Sequence, residues 1–329
     1  MSTTISTTMD AVTQDRYGTS SVLEHGKAPV PHAGAGEVLV RVKAASINPA
    51  DVFIMSGSPW VLRLTHGRTR PKQAIRGMDL AGEVVAVGEG VTQWRVGDTV
   101  CGQGDGTLAQ YATAKEDWLT RLPHGVPFEH GATLGVAGVT AVMAMDLMAL
   151  KPGERLLVNG AAGGIGQFVV QLAKLEGIHV TAVCSGRNVE RVKSLGADVV
   201  LDYNSDDVLD TDQPYDAVLD NAGSVRIREW KRITRKGGAI LPNSGADGPD
   251  GGALMRVVKA ALHNLFTTHR IKTFYAVVTT ERLERLADLV ESGKVTPLID
   301  SLYAWEHAAD AMERVASHHA RGKVVVAVP

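Results

Sequence analysis

Cysteine is nearly absent from this chain of 329 residues, which carries only Cys101 and Cys184. Two thiols cannot build a disulfide framework or a four-thiolate zinc site. Aromatic residues are scarce as well, at 5%. No excess of one charge exists either, since 34 basic residues against 36 acidic ones leave a formal −2. That balance supplies no overall basic field for nucleic acid, and no run of like charge marks a sticky tail. There is also no uninterrupted apolar stretch of about 18 residues, the length a membrane-crossing helix needs. The longest, near Val136–Leu150, is broken by Gly138, Thr140 and Asp146. Met1 to Asp10 is Ser/Thr-rich, without a basic patch or an apolar segment, so it reads as a flexible tail rather than a signal peptide. The expectation is a soluble cytoplasmic protein with neither a membrane nor a nucleic acid as partner.

Apolar residues at 44% offer enough surface to offset ordering entropy, and the length suits about two domains. Glycine is plentiful: 35 residues exceed the roughly 7% average and suit a fold that brings backbone close to a ligand. Residues 37–46 alternate apolar and polar side chains, as a half-buried strand does. Short β-rich runs follow at Gly82–Val87 and Asp98–Cys101, separated by glycine turns, and predict a small barrel-like β domain over about 11–125. The texture then changes. Arg155–Asn159 reads as a strand, followed by a glycine cluster and a helix with Ile165, Phe168, Val169, Leu172 and Leu175 on one face, capped by Gly177. Strands at His179–Cys184, Val199–Tyr203, Tyr215–Asp220 and Ala239–Pro242 continue a βαβα rhythm, which predicts a parallel sheet with helices on both faces. Two helices, after Thr280 and near 305–320, precede a last apolar strand at Lys323–Val328.

The glycine cluster runs Gly160-Ala161-Ala162-Gly163-Gly164-Ile165-Gly166. Between a strand and a helix it is either a structural turn or a seat for a pyrophosphate on the helix N-terminus. In the G-x-G-x-x-G register the first glycine is Ala161, so the match is incomplete. After the second strand comes Val183-Cys184-Ser185-Gly186-Arg187-Asn188, with no acid where an NAD site carries one for the ribose hydroxyls. Ser185 and Arg187 suit a 2′-phosphate, which points to NADP(H); the alternative is a capped turn with a surface arginine.

Several short motifs, in order, resemble the medium-chain dehydrogenase/reductase superfamily and, within it, the zinc-free quinone oxidoreductase branch. They are Asn48-Pro49-Ala50-Asp51, Gly77-Met78-Asp79-Leu80-Ala81-Gly82, Gly97-Asp98-Thr99-Val100, the glycine cluster, Leu195-Gly196-Ala197-Asp198 and Gly322-Lys323-Val324-Val325. The resemblance implies an α/β chain. A GroES-like β-barrel catalytic domain (11–125 with 296–329) would carry an inserted Rossmann doubly wound parallel sheet for NADP (126–295), with 1–10 as a tail. Zinc members of the superfamily place a cysteine where this chain has Asn48, and a His-Glu pair where it has Met78-Asp79. Asn and Met are poor ligands for Zn²⁺, so no metal is expected.

The resemblance also assigns residues. Asn48 resembles the polar group beside nicotinamide and substrate oxygen, or else it is an Asn-Pro turn. Thr140 matches a threonine facing the nicotinamide ring, or is mere packing. Tyr203 resembles a tyrosine at the adenosine phosphate end, or is a strand-end aromatic. Asn221 and Gly223 would lie by the nicotinamide ribose. The branch often has a tyrosine and an arginine where this chain has Phe53 and Met55, which leaves water to supply the proton. The implied activity is NADPH-dependent hydride transfer to a quinone or an α,β-unsaturated carbonyl. The alternatives are a dedicated biosynthetic enoyl or ketone reductase, or a non-catalytic NADPH-binding interaction protein. A homodimer is expected through a long edge strand at Ile271–Val278.

Overall fold

The computed structural model describes residues 6–243 and 248–329, and the chain divides into two units. The first comprises Met1–Val139 and Val277–Pro329; the second is Thr140–Ala276.

In the first unit, β1 (Thr8–Thr13) and β2 (Glu24–Pro29) form an antiparallel ribbon. The strands β3 (Glu37–Ile47), β4 (Asp79–Val87), β5 (Thr99–Gln103), β6 (Tyr111–Lys115) and β7 (Leu119–Arg121) belong to a larger sheet. Between β3 and β4 lie α1 (Pro49–Ser56) and the single turn α2 (Arg63–His66). After β7 come α3 (Phe128–Gly131) and the start of α4 (Val139–Met148).

The second unit holds β8 (Arg155–Asn159), α5 (Gly166–Leu175), β9 (His179–Cys184), α6 (Val189–Ser194), β10 (Val199–Asp202) and β11 (Tyr215–Asp220). It continues through α7 (Ile227–Ile233), β12 (Thr234–Pro242), α8 (Gly252–Leu265) and β13 (Arg270–Ile271). The chain then returns to the first unit with α9 (Thr280–Glu291), β14 (Ile299–Tyr303), α10 (Ala308–Ala316) and β15 (Lys323–Ala327).

The strand order of the second unit is β10-β9-β8-β11-β12-β13, all parallel. It reverses direction of build between β8 and β11, the switch point at which a doubly wound sheet opens a crevice at its carboxyl edge. Its core joins Leu157, Val183, Val218 and Ile240 of the sheet to Ile227, Trp230 and Ile233 of α7. In the first unit the order is β14-β15-β3-β4-β5-β7, with β6 also on β3. The alternating residues Val38, Val40 and Val42 pack there with Leu80, Val100, Leu119, Val324 and Val326. Antiparallel pairing sets Val324 opposite Ile47 and Ser46 opposite Asp79, so three strand ends from distant sequence meet at one place.

Three expectations change. The tail does not reach Asp10, because Thr8–Asp10 already belong to β1 and Met9 is buried; residues 1–5 lie outside the described residues. The units divide at Val139 and Ala276 rather than at 125 and 295. Gly131 sits against Leu122, Cys101 and Ala81, and Gly138 against Leu286 of α9; both lack the Cβ that would keep those segments apart from the β unit. Finally, the strand at Ile271–Val278 shrinks to Arg270–Ile271. Asn264 of α8 donates from Nδ2 to the Ile271 carbonyl (2.7 Å) and accepts the Ile271 N–H at Oδ1 (3.1 Å), which closes that edge with a side chain.

Candidate functional site

The glycine cluster is shaped by backbone proximity. Gly160 takes a left-handed φ of +79°, and its Cα faces Asn221 and Ala222. A Cβ on Gly166 would run into the Gly160 carbonyl and Ala161, so no other residue fits there. Gly163 donates its N–H to the Gly160 carbonyl at 3.2 Å, Ala161 is buried, and Gly164 and Ile165 lead into α5. The N-cap position, Ile165, provides no side-chain cap. An uncapped N-terminus behind a tight glycine turn is an anion seat made of backbone donors.

The next turn, at the end of β9, carries the expected Ser185 and Arg187. Ser185 Oγ accepts from Asn188 Nδ2 at 3.0 Å, while Arg187 is exposed. Tyr203 is 56% exposed and donates its backbone N–H to the Cys184 carbonyl at 3.1 Å, which joins it to the same corner. Here the structure corrects the sequence reading. Parallel register sets Asp202 beside Cys184, and Asp202 Oδ2 lies so close to Gly186 that a Cβ there would collide with it. The corner therefore holds a carboxylate after all, brought by β10 rather than by the run that follows β9. Burial first, and then the Asp202 charge, push the Cys184 thiol up to about 11.

At the carboxyl ends of β8 and β11 sits Asp220, fully buried. Its Oδ1 accepts from Asn159 Nδ2 (2.8 Å), Ala222 N (3.2 Å) and Gly223 N (2.8 Å); its Oδ2 accepts from Trp230 Nε1 (2.8 Å) and pairs with Arg256 of α8. This carboxylate moulds the Asn221–Gly223 turn. Asn243 Nδ2 donates to Asn221 Oδ1 at 2.9 Å, leaving Asn221 Nδ2 a buried donor with no partner among the described residues. The glycine cradle, the uncapped helix and this orphan donor together fit a dinucleotide. Thr140, buried, stands on α4.

In the first unit Asn48 is 3% exposed and opens α1. Its backbone N–H donates to Asp51 Oδ2 (2.8 Å), its Nδ2 donates to Asp79 Oδ2 (2.9 Å), and its Oδ1 accepts from Lys323 Nζ (2.5 Å). Lys323 Nζ also reaches Asp79 Oδ2 at 3.1 Å, and Ser46 Oγ donates to that oxygen at 3.0 Å. Burial pushes the Asp51 carboxyl up to about 6, against the pull of the Asn48 N–H. Phe53 is half-buried and Met55 buried on the following turns. Asp79 and Lys323 escaped sequence reasoning as functional residues, although both sit in the short motifs quoted above. Asp220, Asn243 and Arg256 gave no signal, since nothing in sequence links strand ends to α8.

Comparison with known proteins agrees with this architecture. The alcohol dehydrogenase GroES-like domain matches residues 34–124, and the zinc-binding dehydrogenase family matches 195–326. The chloroplastic quinone-oxidoreductase QR1 of Triphysaria versicolor is 34% identical, over 97% of this chain and 98% of its own length. The quinone oxidoreductase structure from Coxiella burnetii superposes with a TM-score of 0.87 at 30% identity, covering 98% of this chain and 100% of that one. Mycobacterial Rv1454c, solved in complex with NADPH, gives 0.82 at 25% identity over 97% and 100%. The zinc of the second family's description does not fit these residues. The Asn48 amide is committed to an ammonium and a carboxylate, burial pushes the Cys101 thiol up to about 12, and Cys184 stands on the other unit. With its GroES-like sheet, its Rossmann-type sheet and relatives matched over nearly their whole length, this chain belongs to the medium-chain dehydrogenase/reductase superfamily, in its quinone-oxidoreductase-like branch.

Proposed function

We propose that the protein is a metal-independent reductase that uses NADPH to deliver hydride to a quinone or to the β-carbon of an α,β-unsaturated carbonyl. The observation that carries this reading is the cradle at Gly160–Gly166, where an uncapped helix N-terminus meets a turn that only glycine can make. Gly160, Ala161, Gly163, Gly164 and Ile165 would hold the pyrophosphate. Ser185, Arg187 and Tyr203 would hold the adenosine end, and Asn221, Gly223 and Thr140 the nicotinamide end. The cofactor, when bound, supplies the hydride. The chain's own task is to orient the acceptor, exclude water and stabilise the negative charge that develops on the conjugated oxygen. Asn48 Nδ2 is the donor we assign to that oxygen. With Phe53 and Met55 on the turns after it, water delivers the proton.

The reading includes a homodimer. It is supported by the apolar stripe that α8 leaves exposed, Met255, Val258, Leu262 and Leu265, continued by Phe266. Two free, buried cysteines suit a reducing compartment such as the cytoplasm. No helix among the described residues is long and apolar enough to cross a membrane. The deciding experiment is cofactor oxidation, NADPH against NADH, over a panel of quinones and enones. Turnover of at least one class with NADPH supports the reading. Cofactor binding without turnover of any panel member would leave an NADPH-binding protein that is no reductase of these substrates.

A further inference from the structure

We propose that Lys323 and Asp79 are positioning residues: together they fix which way round the Asn48 carboxamide lies, so that one Nδ2–H is kept for the substrate oxygen. The proposal rests on the reading that Asn48 faces the reacting carbonyl. It follows from a count of donors and acceptors in a buried cluster. Lys323, 3% exposed, spends its three ammonium hydrogens on Asn48 Oδ1 (2.5 Å), Asp79 Oδ2 (3.1 Å) and the Ile47 carbonyl (3.4 Å). Asp79, fully buried, takes Val136 N–H on Oδ1 (2.7 Å), and Ser46, Asn48 and Lys323 on Oδ2. Gly135 makes the Val136 contact possible, because a Cβ there would strike Asp79 Oδ1. What remains unassigned among the described residues is the second hydrogen on Asn48 Nδ2.

Rotating that amide by half a turn would set its NH₂ against the ammonium and its oxygen against the carboxylate. Both contacts would then be repulsive inside a low-dielectric site. The orientation is thus fixed by charge rather than by shape. The ammonium also draws electron density toward Oδ1 and so strengthens the N–H on the far side of the amide. Since Lys323 and Asp79 neutralise one another, this pair adds no net charge to the buried cluster.

The test uses full-length protein loaded with NADPH. Lys323→Met should lower kcat by about tenfold or more while the Kd for NADPH, read by fluorescence, stays within about twofold. That variant leaves Asp79 without its cation and could fail to fold, so the paired variant Lys323→Met with Asp79→Asn removes both charges together. Asparagine-selective ¹⁵N labelling supplies a readout that mere stability would not move. The Asn48 side-chain resonances, identified by their loss in Asn48→Ala, should shift in the paired variant. A kcat within about twofold of wild type in that variant, or Asn48 amide resonances that do not move, would overturn the positioning role. If wild type turns over no quinone or enone, the reductase reading fails instead, and the resonances still decide whether Lys323 and Asp79 orient the amide.

Discussion

Arg187 and Asp202 flank Gly186 with opposite charges, and cofactor choice should depend on both. A charge-assisted contact to a phosphate contributes about 1.5–3 kcal/mol, so Arg187→Ala should weaken NADPH binding by roughly ten- to a hundredfold. NADH binding should hardly move. Asp202→Asn should act the other way, tightening NADPH by about fivefold, as expected for relief of repulsion worth about 1 kcal/mol. Titration calorimetry with both cofactors checks the pair, and equal NADPH affinities in wild type and Arg187→Ala would sink the assignment. For Asn48→Ala the expected result is a turnover number lower by at least about tenfold at unchanged NADPH affinity. Sequence showed Arg187 but not Asp202, because the carboxylate arrives through strand pairing between β9 and β10. In the same way, Asn48 was legible as a polar residue at a helix start. Its bonds to a lysine 275 positions away were not.

At the scale of elements, the cradle and α8 give the clearest expectations. Gly166→Ala places a methyl group into the Gly160 carbonyl, so it should weaken NADPH binding by about tenfold or more and lower Tm. Unchanged affinity would mean that the turn relaxes freely. On α8, Leu262 is 54% exposed and Phe266 86% exposed. Replacing both with glutamate should shift the mass in light scattering from dimer to monomer at micromolar protein. A monomeric wild type would refute the dimer outright. The strands and helices themselves were readable because period-2 and helical patterns are local: Arg155–Asn159, His179–Cys184 and Tyr215–Asp220 stand at their expected positions. Ile271–Val278 misled because apolar content alone cannot show that β12 offers a partner over only two positions, or that Asn264 closes the outer edge.

Over the whole molecule, two buried carboxylates should tilt stability with pH in opposite senses. Asp300 resists the upward push of burial through hydrogen bonds from Arg314, the Arg321 N–H and Ser301, and its carboxyl falls to about 2. A lowered value means that the unfolded chain holds the proton more tightly. The stability this confers, ~2 kcal/mol, is present above about pH 4 and lost as pH falls toward 2. Asp51, raised by burial to about 6, works in reverse: the folded chain holds its proton more tightly, so stability falls as pH rises from about 4 to 6. Denaturant titrations across pH should show the acid loss removed by Asp300→Asn and the decline between pH 4 and 6 removed by Asp51→Asn. Unaltered pH slopes in both variants would contradict these assignments.

The seating of Lys323 against Asn48 and Asp79 also has a consequence for synthesis. Lys323 follows Asp79 by 244 positions, so a growing chain carries Asp79 through synthesis of the whole second unit without the cation that neutralises it. The β unit cannot reach its finished electrostatic state until the last strand has slotted beside β3. A chain cut short before Lys323 should therefore stay open and be degraded, whatever the progress of its Rossmann-type unit, and pulse-chase of a chain ending at Arg321 would measure this. However early β3 and β4 fold, the Asn48 site stays unfinished until β15 has been made.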